Sequence, residues 1–281
     1  DEGIEQVLRH VNRRASFHSE DEYCLAYRRP LARTGDWTSH SEVRDAQCAI
    51  QSTERLVRIA TALGKRIHVL HVTTAQEVAY LAAHKAVASV EFTPQHLTLA
   101  GPEAYERLKG YAQMNPPIRG EEHRAALWAG LANGVTDVLG SDHAPHTSEE
   151  KARPYPASPS GMPGVQTLLP VMLTHVAEGR LTLERLVDLT SHGANRLFGL
   201  ADKGRLAEGY DADLTIVDLK ARRTITHAGM ASRVAWTPFD GMEAKGWPAA
   251  TIIRGTVVMR DDEVIAPHRG EPVRFSETLV A

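Results

Sequence analysis

The sequence predicts an α/β fold built on a parallel sheet, followed by a small β-rich appendage. Short apolar runs alternate with longer segments of helical periodicity through the first two-thirds of the 281 residues, the pattern of strand–helix–strand units. The last third changes to short strands broken by Gly and Asp turns. A hydrophobic content of 42% in a chain of this length is enough for one large core with a small addition.

The elements follow in order. Gly3 to Val11 carries apolar residues at helical spacing. Ala15 to His18 reads as a strand and Ser41 to Leu63 as one long helix. Arg66 to Val72 reads as a buried strand. Ala75 to His84 is helical, Ser89 to Thr93 a strand, Glu121 to Asn133 helical and Thr136 to Gly140 a strand. Leu168 to Glu178, Thr182 to Leu189 and Gly193 to Leu197 are helical. From about residue 201 the pattern becomes β-rich, with strands at 214–218, 250–254 and 256–259, and a turn at Asp261-Asp262 before Val264-Ile265. The division is therefore 1–200 and 201–281. Four parallel strand candidates fit either an open sheet or about half of a closed (β/α)8 barrel, which needs eight strands and typically about 250 residues.

A net charge of −3 and the lack of a basic cluster give no footprint for nucleic acid or a membrane surface. No apolar run is long enough to span a bilayer. Cys24 and Cys48 form no CxxC pair and no metal-type spacing, and fit a reducing, cytosolic setting. The chain opens on Asp1 directly before a helical pattern, so its first residue is not expected to be the start of the natural gene product.

Three strand candidates end in groups able to bind a metal: His18-Ser19-Glu20-Asp21, His71-Val72-Thr73-Thr74 and Ser141-Asp142-His143. In parallel α/β folds, sites form where loops converge at the carboxyl ends of strands. Two imidazoles and a carboxylate there suit Zn²⁺ or a similar ion. Each also has a plain structural alternative, as a hydrogen-bonded His or a helix N-cap Asp. His68, three residues before His71, is expected to face the other side of its strand. His10, His40, His84, His123, His175, His192, His227 and His268 are read as surface or structural.

Ser141-Asp142-His143-Ala144-Pro145-His146 and Met114-Asn115-Pro116-Pro117-Ile118-Arg119 resemble signature segments of the dihydroorotase family, class I-like, within the amidohydrolase superfamily. His18-Ser19-Glu20-Asp21, His71-Val72-Thr73-Thr74 and Thr93-Pro94-Gln95-His96-Leu97 match it too, and Gly204 to Asp218 resembles the superfamily's C-terminal β-appendage. The resemblance runs over essentially the whole chain. It implies that residues 1–200 are strands five to eight of a TIM-type (β/α)8 barrel. It further implies that His18 and His71 are metal ligands and that Asp142 is both ligand and catalytic acid/base. Asn115 and His146 would contact substrate, and the Gly161-Met162-Pro163-Gly164 loop would offer backbone groups through Met162 and Gly164.

The family begins its site with a His-x-His pair followed by an arginine, and adds a bridging lysine or aspartate after strand four. Neither is found here, so barrel strands one to four and part of the appendage are expected to lie outside this sequence. The chain alone is then expected to bind metal weakly and turn over little. The implied reaction is reversible, Zn²⁺-dependent hydrolysis of dihydroorotate to N-carbamoyl-aspartate in pyrimidine synthesis, with one or two ions per intact site. The implied setting is the cytoplasm, as a homo-oligomer such as a dimer, with association to aspartate transcarbamoylase as a further partner. Rival readings are another cyclic amidohydrolase (dihydropyrimidinase, hydantoinase or allantoinase) and a non-catalytic scaffold for aspartate transcarbamoylase. Retention of His18, His71 and Asp142 argues against the scaffold.

Overall fold

The structure, a computed structural model, describes residues 1–265 and 270–276; His268 lies outside them. They form two compact units, residues 1–166 with 226–240, and residues 167–225 with 241 onward.

The first unit holds a parallel sheet of β1 (Ala15–Phe17), β2 (Ile67–Val69), β3 (Ala88–Phe92) and β4 (Val138–Leu139), in the spatial order of the sequence. Register pairs Ala15 with Ile67, Ile67 with Ala88 and Glu91 with Val138. Parallel neighbours need crossover connections, and helices supply them. After α1 (Glu2–His10), the helices α2 (Glu22–Arg28), α3 (Ser39–Val43) and α4 (Ala46–Ala62) join β1 to β2. A single helix, α5 (Ala75–Ala82), joins β2 to β3. The helices α6 (Pro94–Thr98), α7 (Glu103–Leu108) and α8 (Glu121–Ala132) join β3 to β4, and the single turn α9 (Ser148–Lys151) follows. Four consecutive βα steps in sequential order are the arc expected of a (β/α) barrel wall.

The buried side chains explain why these segments take these forms. Ile67, Val69, Val90 and Phe92 are fully buried, as strands covered on both faces require. On α4, Cys48, Ala49, Ser52, Thr53, Leu56, Val57, Ile59 and Ala60 form its buried face, at the three- and four-residue spacing of an amphipathic helix. The sequence reads 41–63 as one helix. The structure breaks it at Arg44, whose ψ of 60° leaves the helical region. Asp45 then caps α4 by accepting from the Cys48 amide, a role its short carboxylate favours over mid-helix placement.

Cys24 and Cys48 form a disulfide that ties α2 to α4. This corrects the reading of both as reduced thiols. No spacing rule brings residues 24 apart together; the fold does so by laying α2 on α4.

In the second unit, α10 (Leu168–Ala177) leads to α11 (Leu183–Val187). A π-turn over Asp188–His192 then continues into α12 (Gly193–Phe198). The strands β5 (Leu214–Thr224), β6 (Glu243–Ile253), β7 (Thr256–Arg260) and β8 (Glu263–Val264) form an antiparallel meander. Asp261 and Asp262 both have left-handed backbone, φ 49° and 68°, the conformation a tight primed hairpin turn demands. On α10, Thr174 Oγ1 accepts from the Lys245 amide at 2.9 Å. The helices of residues 168–198 thus share a compact unit with the antiparallel sheet. No helix among the described residues is long and apolar enough to cross a membrane.

Candidate active site

The carboxyl ends of β1, β2 and β4 carry His18, His71 and Asp142. His18 is the first residue past its strand and His71 the second past its own. Two of the three positions are conformationally unusual: His71 has φ 35° and Asp142 φ 41°. A non-glycine residue in this region is uncommon, although Asp and His tolerate it better than most. Such residues cost about 1–3 kcal/mol and persist where surroundings enforce them, often at functional sites.

His18 Nδ1 and His71 Nε2 face each other at 3.1 Å. The other nitrogen of His18, Nε2, donates to Glu20 Oε2 at 2.9 Å. A neutral ring that donates from Nε2 carries its lone pair on Nδ1, so Glu20 aims that lone pair at His71. Glu20 is itself fixed by Arg44, whose Nη2 lies 2.7 Å from Oε2. Burial opposes ionisation of Glu20, but hydrogen bonds and charge from His18 and Arg44 outweigh it and hold the carboxyl down at about 2. His71 is pushed to about 3, by burial first and then by His18 and His96. It is therefore neutral at physiological pH, and its buried Nδ1 has no hydrogen-bond partner among the described residues.

Two nitrogens each about 2.0–2.1 Å from a Zn²⁺ ion stand roughly 3.3 Å apart at a tetrahedral angle. The 3.1 Å spacing of the His18–His71 pair fits shared coordination, and His71 is in the neutral state a metal needs. Asp142 is not drawn in as closely. Among the described residues, it does not close to a three-donor group with the two histidines within 4.8 Å. The one group that does, Cys24, Asp45 and Cys48, has its two sulfurs bonded to each other.

Asp142 has its carboxyl raised to about 6, by burial first and then by the charge of Glu91, with His18 pulling the other way. Sequence reasoning passed over Glu91, a lone charge inside an apolar strand. Its carboxyl fills the space where a side chain at Gly140 would stand: a Cβ there would meet Glu91 Cδ at 2.3 Å. Glu91 also accepts from the His71 amide at 3.4 Å and stands 3.5 Å from His68 Nε2. Glu91 thus joins the His68 ring to the backbone of His71. β2 ends at Val69, before the left-handed backbone of His71. The structural reading of His68 stands, with Nδ1 2.9 Å from Ser89 Oγ. His40 is buried rather than superficial, with Nε2 2.9 Å from Met114 O.

The residues expected to meet substrate lie in three interwoven segments. Ala144 N donates to Met162 O at 3.1 Å, and Gly161 N to Gln113 O at 2.9 Å. His146 Nε2 lies 3.1 Å from Ser160 O. Gly164 N donates to His143 Nδ1 at 3.1 Å. A Cβ at Gly164 would stand 2.3 Å from Ser141 O and 2.5 Å from Gln95 Nε2, so only glycine lets this loop lie against the Asp142 segment. Asn115 keeps a buried Oδ1 with no hydrogen-bond partner among the described residues. Arg119, from the same segment as Asn115, donates Nε to Thr73 Oγ1 at 2.9 Å and Nη1 to Arg44 O at 2.7 Å, joining the loops after β1 and β2.

A parallel βα arc with two converging imidazoles at its strand ends defines a class, and comparison with known proteins agrees. The amidohydrolase family model matches residues 1–258, and the chain belongs to that family. It is 36% identical to the dihydroorotase of Methanosarcina acetivorans, over 96% of this chain and 61% of that protein. It is 40% identical to the dihydroorotase of Halobacterium salinarum, over 82% of this chain and 54% of that protein. Among solved structures it resembles an L-hydantoinase (dihydropyrimidinase) from Arthrobacter aurescens, with TM-score 0.85, 32% identity, and coverage of 89% and 58% of the two chains. A dihydropyrimidinase from Brevibacillus agri gives TM-score 0.88, 26% identity, and coverage of 94% and 61%. The chain spans about 54–62% of the length of these curated dihydroorotases.

Proposed function

We propose that this chain supplies His18, His71 and Asp142 to the metal-dependent site of a dihydroorotase, which interconverts dihydroorotate and N-carbamoyl-aspartate. The observation that carries the reading is the pair of imidazole nitrogens, His18 Nδ1 and His71 Nε2, converging at 3.1 Å from adjacent strand ends. The similarity to dihydroorotases supplies the substrate. Two converging imidazoles and a carboxylate from a neighbouring strand end favour Zn²⁺. When bound, such an ion supplies Lewis acidity toward the ring carbonyl and makes water a usable nucleophile near neutral pH.

The protein's own part follows from the site. Glu20 and Arg44 hold the His18 ring in one tautomer and orientation, the supporting arrangement metal-binding histidines require. Asp142, at the carboxyl end of β4, is placed to accept the proton of the attacking water and pass it to the leaving ring nitrogen. Asn115, His146, Met162 and Gly164 form the substrate-facing wall. Residues 1–200 act as the barrel part and 201–281 as the appendage. The cytoplasm is the setting that pyrimidine synthesis implies. The Cys24–Cys48 bridge weighs against a strongly reducing one, and thiol trapping in cells decides. A homodimer and an association with aspartate transcarbamoylase complete the proposal, to be read by sedimentation and copurification.

A second reading, hydrolysis of a hydantoin or dihydropyrimidine ring, is favoured by the solved structures this chain resembles. The deciding experiment titrates the purified protein with Zn²⁺ and assays dihydroorotate, N-carbamoyl-aspartate, hydantoin, dihydrouracil and allantoin side by side. Weak zinc binding that H18A and H71A abolish, with dihydroorotate preferred in the little turnover this incomplete site supports, is the expected result. Preference for hydantoin or dihydrouracil selects the second reading, and zinc binding indifferent to both histidines sinks the metal site.

A further inference from the structure

Lys151 is 1% exposed, and among the described residues no carboxylate lies within ion-pair distance of its ammonium. Its Nζ instead donates to three backbone carbonyls: Gln113 O at 3.0 Å, Pro159 O at 2.9 Å and Gly161 O at 2.8 Å. A buried charge is costly unless its hydrogen bonds are met. Only the protonated amine has three N–H donors. Burial pushes its pKa down to about 7, while donation from Nζ to all three carbonyls at once requires the proton.

The surroundings are built to present this ammonium. Thr147 and Glu150 close a reciprocal capping box on α9, which fixes Lys151 at the end of that turn. The Trp236 ring lies 5.8 Å from Nζ, within reach of a cation–π contact. Its indole N–H donates to His146 O at 2.8 Å, and Tyr111 packs edge-on against it at 4.6 Å. The three carbonyls come from two chain segments. Gln113 lies two residues before Asn115; Gly161 directly precedes Met162.

We propose that Lys151 is a positioning residue, an ammonium clamp that fixes the Asn115 segment and the Met162–Gly164 loop as one rigid substrate-facing wall. The ligand in that statement rests on the dihydroorotase reading; the clamp itself does not. Lys151 acts through the wall and has no role in holding metal.

The test is hydrogen–deuterium exchange on the 281-residue protein and its K151M variant, which keeps the aliphatic stem and removes every donor. The Gly161 and Ala144 amides, bonded to Gln113 O and Met162 O, should exchange at least ten-fold faster. The Leu70 and Val72 amides, bonded to Phe17 O and Glu91 O, should be unchanged. K151Q, with two N–H donors, should be intermediate and serves if K151M does not fold. Unchanged exchange at Gly161 overturns the proposal, as does acceleration spread evenly over β1 to β4. Calorimetry with N-carbamoyl-aspartate then reads the consequence: K151M should bind at least ten-fold more weakly, with zinc affinity within two-fold of the parent. Unaltered ligand affinity with a loosened loop also overturns the positioning role. If the parent, with only part of the site, binds no N-carbamoyl-aspartate, exchange, which needs no ligand, judges the clamp, and the side-by-side substrate assay judges the dihydroorotase reading.

Discussion

The parallel sheet of the first unit and the antiparallel sheet of the second handle polar side chains in opposite ways. Around β1 to β4 they are linked, partly below the surface: buried Glu20 holds the exposed His18 ring and half-buried Arg44, and Glu91 accepts from the backbone amide of buried His71. On the antiparallel sheet of the second unit most stay at the surface, the buried polar side chains of that unit among the described residues, Thr167, Thr174 and His175, lying on or beside α10. On β5, eight of eleven residues are exposed, and Lys203 pairs with Asp211 and Asp213 in the open. Exposed pairs of this kind contribute roughly 0–1 kcal/mol, whereas breaking a buried network leaves groups unpaired at several times that. The proposed site therefore lies where polar groups carry a desolvation cost, whereas the antiparallel sheet of the second unit keeps most of its polar side chains in solvent.

The sharpest way to break this contrast is at Asp142. In the site completed by the remaining barrel strands, D142N should lower hydrolytic turnover on the order of 10²–10⁴-fold, as expected for loss of a general acid/base, with the far-UV circular dichroism unchanged. H71A should weaken zinc by at least about 100-fold in a chelator competition, removing a ligand where loss of a supporting partner alone costs about 10–100-fold. E20Q tests that supporting role, with zinc affinity down by about 10–100-fold and D142N-like loss of turnover not expected.

Acid pH should separate the units next. His40 and His96 are both held near 4 by burial, below the ordinary 6.5. The unfolded chain therefore takes up protons first, and stability falls as pH drops from 6.5 through about 4. The size is on the order of 3 kcal/mol per ring, read by urea unfolding at stepped pH. H96Q should flatten that slope. The smallest effect belongs to the second unit. Arg254 and Gly255 both have positive φ, 45° and 79°, and G255A should cost about 1 kcal/mol without altering zinc affinity. A G255A protein that loses zinc would erase the distinction drawn between the two units.

The parts of the fold legible in the sequence are those where one local signal dominates. Ile67-His68-Val69 and Ala88 to Phe92 are apolar runs of strand length, and both form strands. His18, His71 and Asp142 announce themselves by position after such runs. The helices α2 and α7 are short and half-polar, and did not stand out. Glu91 escaped because a single acid in an apolar strand gives no periodic signal; its role appears only once Gly140 stands opposite it. Lys151 escaped because Ser-Glu-Glu-Lys reads as a solvated turn, although the Trp236 that covers it is 85 residues away. The cysteine pairing escaped for the same reason: distant partners are set by packing, not by spacing.

That bridge bears on how the protein is handled at the bench. Arg33, Thr34 and Gly35 are exposed and lie between Cys24 and Cys48. Exposed loop tips are preferred sites of proteolytic nicking, so trypsin cutting after Arg33 would leave two fragments still covalently joined. A denaturing gel without thiol would show one intact band, and the same sample with thiol would show two.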